Sequence, residues 1–64
     1  MKDEELKAEM LVLVDFNGVS QPAKVIGPVA ERKGNQTKIL GWKLHVGPSA
    51  LEYTTTADRI YFKN

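Results

Sequence analysis

The chain contains no cysteine, one histidine and one tryptophan, and these scarcities exclude several chemistries. Without cysteine there is no disulfide and no thiolate zinc site, and a single imidazole cannot assemble a histidine-based one. Long hydrophobic runs are missing too. The longest, Met10 to Val14, is five residues, against about 20 for a membrane helix and roughly 7–15 for a secretory signal core. The opening MKDEELKAE is acidic and polar. No membrane segment is therefore expected, and the lack of cysteine suits a reducing cytoplasm.

Catalytic signatures are equally scarce. There is no Gly-x-Gly-x-x-Gly, no phosphate loop and no Gly-x-Ser-x-Gly. His45 would have to act with Ser20, Ser49 or a threonine, with nothing nearby to orient it. The carboxylates crowd toward the N-terminus, a poor place to hold a general acid. The expectation is a protein without catalytic residues, cofactor or metal.

What is present is one small domain of 64 residues. A chain this short buries only about 60% of the surface its unfolded form exposes, so its stability rests on tight packing, self-association or ordering against a partner. Net charge is +1, unevenly spread. Residues 1–15 hold five acidic and two basic side chains, and residues 24–64 hold three acidic and seven basic. An acidic start thus precedes a mildly basic body.

Residues 2–9, KDEELKAE, favour a short helix that Asp3 can cap, with a flexible arm as the alternative for so short a segment. The period then changes from helical to alternating. Met10, Val12, Val14 and Phe16 share one face of a first strand, and Leu11, Leu13 and Asp15 share the other. Asn17-Gly18 signals a tight hairpin, because both central residues of a type I′ turn need positive φ. A second strand is expected over residues 19–29, bulged or placed at an edge where Pro22 removes a donor. AERKGNQTK, residues 30–38, reads as a polar turn. The third strand, Lys38 to Val46, puts Leu40, Trp42, Leu44 and Val46 inward and Ile39, Gly41, Lys43 and His45 outward. Leu51, Tyr53 and Thr55 alternate in a fourth strand. TADR suits one turn of 3₁₀ helix, and IYFK closes with Ile60 and Phe62 inward. VIGPV and HVGPS read as two similar Gly-Pro turns.

Five short strands with tight connections point to an all-β fold, a small antiparallel barrel or sandwich, and at this length a five-stranded barrel over residues 10–64 behind an acidic arm of residues 1–9 is expected. The order of a hairpin, a long central strand, a fourth strand, a short helical turn at ADR and a brief closing strand resembles the SH3-like barrels. An OB-fold fits less well, since it needs more residues and a helix between strands three and four. In size the chain is also similar to the plasmid-encoded type II dihydrofolate reductases, SH3-like tetramers with a shared central pore, and ILGWK and ADRI resemble stretches of that family. The family's pore motif, Val-Gln-Ile-Tyr, would fall near Leu51-Glu52-Tyr53-Thr54 and is not there, so no catalytic residue carries over.

The candidate binding residues are Arg32, Lys33, Lys38, Lys43 and His45, on or beside the 31–38 hairpin and the outward side of the third strand, together with Tyr61 of the closing strand as an exposed aromatic. Two partner classes follow. One is another protein or a second copy of the chain, because Leu11, Leu13, Ile39 and Tyr61 leave an apolar face without a destination. The other is nucleic acid, read from the basic side chains, although +1 is a low net charge for that task. An aromatic cage for a methylated side chain would draw on Phe16, Trp42, Tyr53, Tyr61 and Phe62, three of which are in phase with aliphatic core positions.

Overall fold

The computed structural model describes residues 1–63. Its strands are β1 (Leu11–Phe16), β2 (Val19–Lys33), β3 (Gln36–Val46), β4 (Leu51–Thr55) and β5 (Ile60–Phe62). All pairings are antiparallel and form one five-stranded sheet in the order β4-β3-β2-β1-β5. The expected closed barrel is not formed: β4 and β5 are the two edges of an open sheet. A 3₁₀ turn, Ala57–Arg59, joins these edges. Edge strands of five and three residues leave little ladder with which to pair across that gap.

The helical tendency of the first residues is realised as a single 3₁₀ turn, Asp3–Glu5. Lys2 takes the cap position, and its N–H donates to the Glu5 carboxylate at 2.7 Å. Asp3 instead accepts from the indole Nε1–H of Trp42 at 2.9 Å. Leu6 follows and is buried with the strand residues. Before β1 begins, the N–H of Glu9 donates to the carbonyl of Val25, and the N–H of Val25 donates to the carbonyl of Met10. The acidic segment is thereby tied to β2 by backbone bonds and to the core by Leu6, by Met1 and by the Asp3 bond to Trp42.

The core is the inward row of the sheet. Val12, Val14, Val25, Leu44 and Ile60 are fully buried, and Ala23, Trp42, Val46 and Ala57 nearly so. Cross-strand pairing places Val12 opposite Ala23, and Val25 opposite Leu44. β-Branched side chains suit this pleated, crowded surface. Phe16 and Tyr53 meet edge to face, with ring centroids 4.9 Å apart, and pack against the core.

Asn17 and Gly18 both take positive φ, as a I′ turn requires. Pro22 causes no bulge. Its carbonyl accepts from Gly47, so the missing N–H points toward the place where β3 has already ended. The bulges lie elsewhere, at register shifts between Val25 and Gly27 and between Val29 and Ala30.

The second shift pairs Val29 with Gly41 and Ala30 with Ile39, leaving Leu40 as the extra residue. One inserted residue reverses which side chains face inward. Leu40 is therefore 49% exposed rather than in the core, while Ile39, expected outside, packs against the core. Phe62 also departs from expectation at 55% exposure, for it sits on the edge strand at the core's rim.

Residues 30–38 are not a loop. Glu31, Arg32 and Lys33 pair with Lys38, Thr37 and Gln36, and only Gly34-Asn35 turns. Gly34 has φ +63° while Asn35 is not in the positive region, the pattern of a II′ turn. The hairpin extends as a two-stranded ribbon, and the described chain measures 38 × 22 × 21 Å. Gly27-Pro28 likewise lies inside β2, where β1 no longer flanks it and a proline costs no ladder bond on that side, whereas Gly47-Pro48 does begin a turn.

Candidate functional site

The outward face of the sheet is read off the same registers. Leu13 on β1 stands between Pro22 on β2 and Tyr61 on β5. One step along, Leu11 is opposite Lys24, Lys24 opposite His45, and His45 opposite Glu52. Cross-strand partners share a face at about 4.5–5.5 Å between Cβ atoms. This face therefore carries an apolar strip, Leu13, Pro22 and Tyr61, beside a mixed row of Leu11, Lys24 and His45. Leu11 is 60% and Tyr61 46% exposed.

The candidate residues are divided over this surface. Arg32, Lys33 and Lys38 are exposed on the distal ribbon, but they do not form one patch. Lys33 and Lys38 share a ribbon face with Glu31 and Gln36, and Arg32 stands on the opposite face with Thr37, because neighbouring strand residues point to opposite sides. Lys43 is 3.6 Å from the Glu52 carboxylate. Tyr61 lies across the sheet on β5, and its hydroxyl donates to Asp15 at 3.2 Å. The negative charge of Asp15, reinforced by that hydrogen bond, raises the pKa of the phenol above its ordinary value.

His45 lies elsewhere, in a groove of about 360 Å³. Leu11, Pro22, Ala23, Gly47 and Ala50 make the apolar part of its lining, and Lys24, His45 and Lys63 the basic part. No hydroxyl or carboxylate side chain is among the lining residues. Lys24 is bound at its ammonium by Glu9 Oε2, 2.6 Å away. Of these residues, the alternation of β1 and β2 does mark Leu11 and Lys24 as outward. Lys63 follows the last strand and carries no sequence signal of its own. Gly47 and Ala50 come from the turn after β3 and reach the groove only because that turn folds back beside β2, with Gly47 N–H donating to Pro22.

A second groove, about 450 Å³, is lined by Lys2, Asp3, Glu4, Ile39, Leu40, Gly41, Thr56, Ala57 and Asp58. It is the cleft between the N-terminal turn and the β4–β5 connection. The hydroxyl of Thr56 donates to the Asp58 carboxylate, and that bond holds the Asp58 pKa below its ordinary value. Asp3 already serves the indole of Trp42. Asp3 and Asp58 thus have internal roles, and among the described residues no cluster of His, Asp or Glu is arranged to hold a metal ion.

The aromatic rings do not form a cage. Trp42 is buried, Phe16 and Tyr53 pack on each other, and Tyr61 and Phe62 are consecutive residues of one strand that point to opposite faces. Neither groove has a Phe, Tyr or Trp ring in its lining. Among the described residues no helix is long and apolar enough to cross a membrane. No known protein family, no curated protein and no solved structure matches this chain.

Proposed function

We propose that the protein is a non-enzymatic binding module of SH3-like layout, an adaptor or inhibitor acting in the cytoplasm, that engages another protein through the outward face of its sheet. The observation that carries this reading is the strip of Leu13, Pro22 and Tyr61 with Leu11 beside it on the outward face, where Leu11 is 60% and Tyr61 46% exposed. Apolar side chains gathered on one face, rimmed by charges, mark interaction surfaces. The strand order β4-β3-β2-β1-β5, with a 3₁₀ turn before β5, supports the SH3-like part of the reading. The non-enzymatic part is supported by the surroundings of His45, whose groove offers aliphatic groups and lysines but no hydroxyl, thiol or carboxylate side chain for the imidazole to work with.

The test is differential capture. The tethered protein and its Leu11→Asp and Tyr61→Ala variants are exposed to extract of the cell of origin. A partner held by the parent and lost from both variants, with circular dichroism unchanged, is the expected result. Equal capture by all three overturns the reading. Sedimentation of the parent distinguishes a second copy of the chain from a different protein on the same face.

The second reading, nucleic-acid binding, draws on the exposed ribbon with Arg32, Lys33 and Lys38, since a two-stranded ribbon fits a major groove. Shifts at these residues on adding DNA or RNA, weakening steeply with salt, are its signature. The split of Arg32 from the two lysines and the balance of Lys38 by Glu31 across the ribbon favour the protein reading.

A further inference from the structure

We infer that the groove around His45 takes a short acidic segment of a partner protein, with a carboxylate among Lys24, His45 and Lys63 and an adjacent apolar side chain on Leu11 and Pro22. The inference rests on the protein-binding reading above and names the chemistry of the partner. Charge complementarity carries it. The groove combines an aliphatic floor, Leu11, Pro22 and Ala50, with two lysines and the only histidine of the chain, and contains no acidic lining residue. The carboxylates nearby belong to Glu9, held by Lys24 at 2.6 Å, and Glu52, opposite His45 in register but 3.6 Å from Lys43.

Glu9 shows what such a ligand does. Its backbone is fixed by the bond from its N–H to Val25 and by a positive φ of 71°, and its side chain reaches to Lys24 at the groove's rim. Both partners of that ion pair are largely in water, with side-chain exposures of 47% and 72%, so the pair is weak and an incoming carboxylate can displace it. Glu9 is therefore an internal competitor for the site. The floor distinguishes a peptide from a phosphodiester. Single-stranded nucleic acids gain affinity by stacking successive bases on aromatic faces, and the groove offers only the His45 imidazole, with no Phe, Tyr or Trp. An apolar side chain next to a carboxylate satisfies both halves of the groove.

The probe is a blocked peptide, Gly-Glu-Leu-Glu-Gly, titrated into the full chain and followed by amide and histidine ring shifts. A Gly-Gln-Leu-Gln-Gly peptide and a thymidine oligonucleotide are run beside it. The expected shifts cluster at Leu11, Ala23, Lys24, His45 and Lys63. The glutamine peptide binds about tenfold more weakly, as expected when charge-assisted bonds become neutral ones. Glu9→Gln tightens the glutamate peptide about two- to threefold by removing the competitor, Lys24→Ala weakens it, and Lys33→Ala on the distal ribbon leaves it unchanged. Absence of shifts at millimolar peptide, equal binding of the two peptides, or stronger binding of the oligonucleotide at these residues each overturns the inference. The two readings fail separately. A partner lost with Leu11→Asp while the peptide does not bind leaves the protein-binding face and removes the acidic ligand. Peptide bound in the groove while partner capture ignores Leu11→Asp does the reverse.

Discussion

Between Ala23 and Val25 on β2, and between Trp42 and Val46 on β3, the long hairpin alternates buried and outward side chains. Between Ala30 and Ile39 the same two strands have no buried side chain, and only Ile39 is even partly covered. The ladder continues through both halves, so backbone pairing does not separate them. Neighbours do. The proximal half is flanked by β1 and β4, and the distal half by neither. A two-stranded hairpin is marginal in water by itself. The ribbon is therefore held by the sheet from which it extends, while the sheet owes its stability to side chains the ribbon does not share.

The sharpest way to break the proximal half is Leu44→Ala. Leu44 is fully buried at the centre of the sheet, and such truncations cost about 2–5 kcal/mol. In a domain this small that is most of the stability, and urea titration is expected to find the variant largely unfolded. Gly41→Ala is the next largest effect. A Cβ there would lie 2.9 Å from the Thr55 carbonyl oxygen, a backbone atom of the edge strand β4. Forcing the strands apart costs about 1–3 kcal/mol, read as a lower urea midpoint.

The distal half should respond far less. Gly34→Ala meets no neighbouring atom but must hold φ +63°, at a cost of about 1–2 kcal/mol. That cost is local: faster amide exchange over residues 30–39 is expected, with residues 42–46 unchanged. Excising Glu31 and Arg32 together with their partners Thr37 and Lys38 shortens each strand by one full alternation and keeps the Gly34-Asn35 turn. Stability is expected to move by less than about 1 kcal/mol. Arg32→Ala should be smaller still, within about 0.5 kcal/mol. A large loss from the excision would show that the ribbon supports the core and would collapse the distinction between the halves.

The first hairpin, the inward row of β1 and the 3₁₀ turn at Ala57–Arg59 were all legible, because each rests on local chemistry: Asn-Gly at a two-residue turn, strict alternation, a short polar connection. The ribbon was not legible. Its residues are polar, and polar runs read as turns unless their partners across the strand are known. The exchange of Ile39 and Leu40 was hidden for a related reason, since a bulge is a mismatch between two strands and neither strand contains it alone. At the candidate site, alternation alone sets His45 and Lys43 on the face away from Trp42, because residues an odd number apart on a strand oppose one another. The companions of His45 were not foreseeable together, for Leu11, Lys24, Ala50 and Lys63 come from four separate parts of the chain.

The amino-acid sequence by itself determined that this chain is all-β, that Trp42, Leu44 and Val46 face one way, and that disulfides and thiolate zinc sites are excluded. These follow from composition and from a two-residue period that each strand carries within itself. Tertiary structure alone decided that the sheet stays open, that Leu6 is drawn from the acidic start into the core, and that three basic side chains border one aliphatic groove. Each of these depends on which strands become neighbours and in what register, and that is a property of pairs of segments.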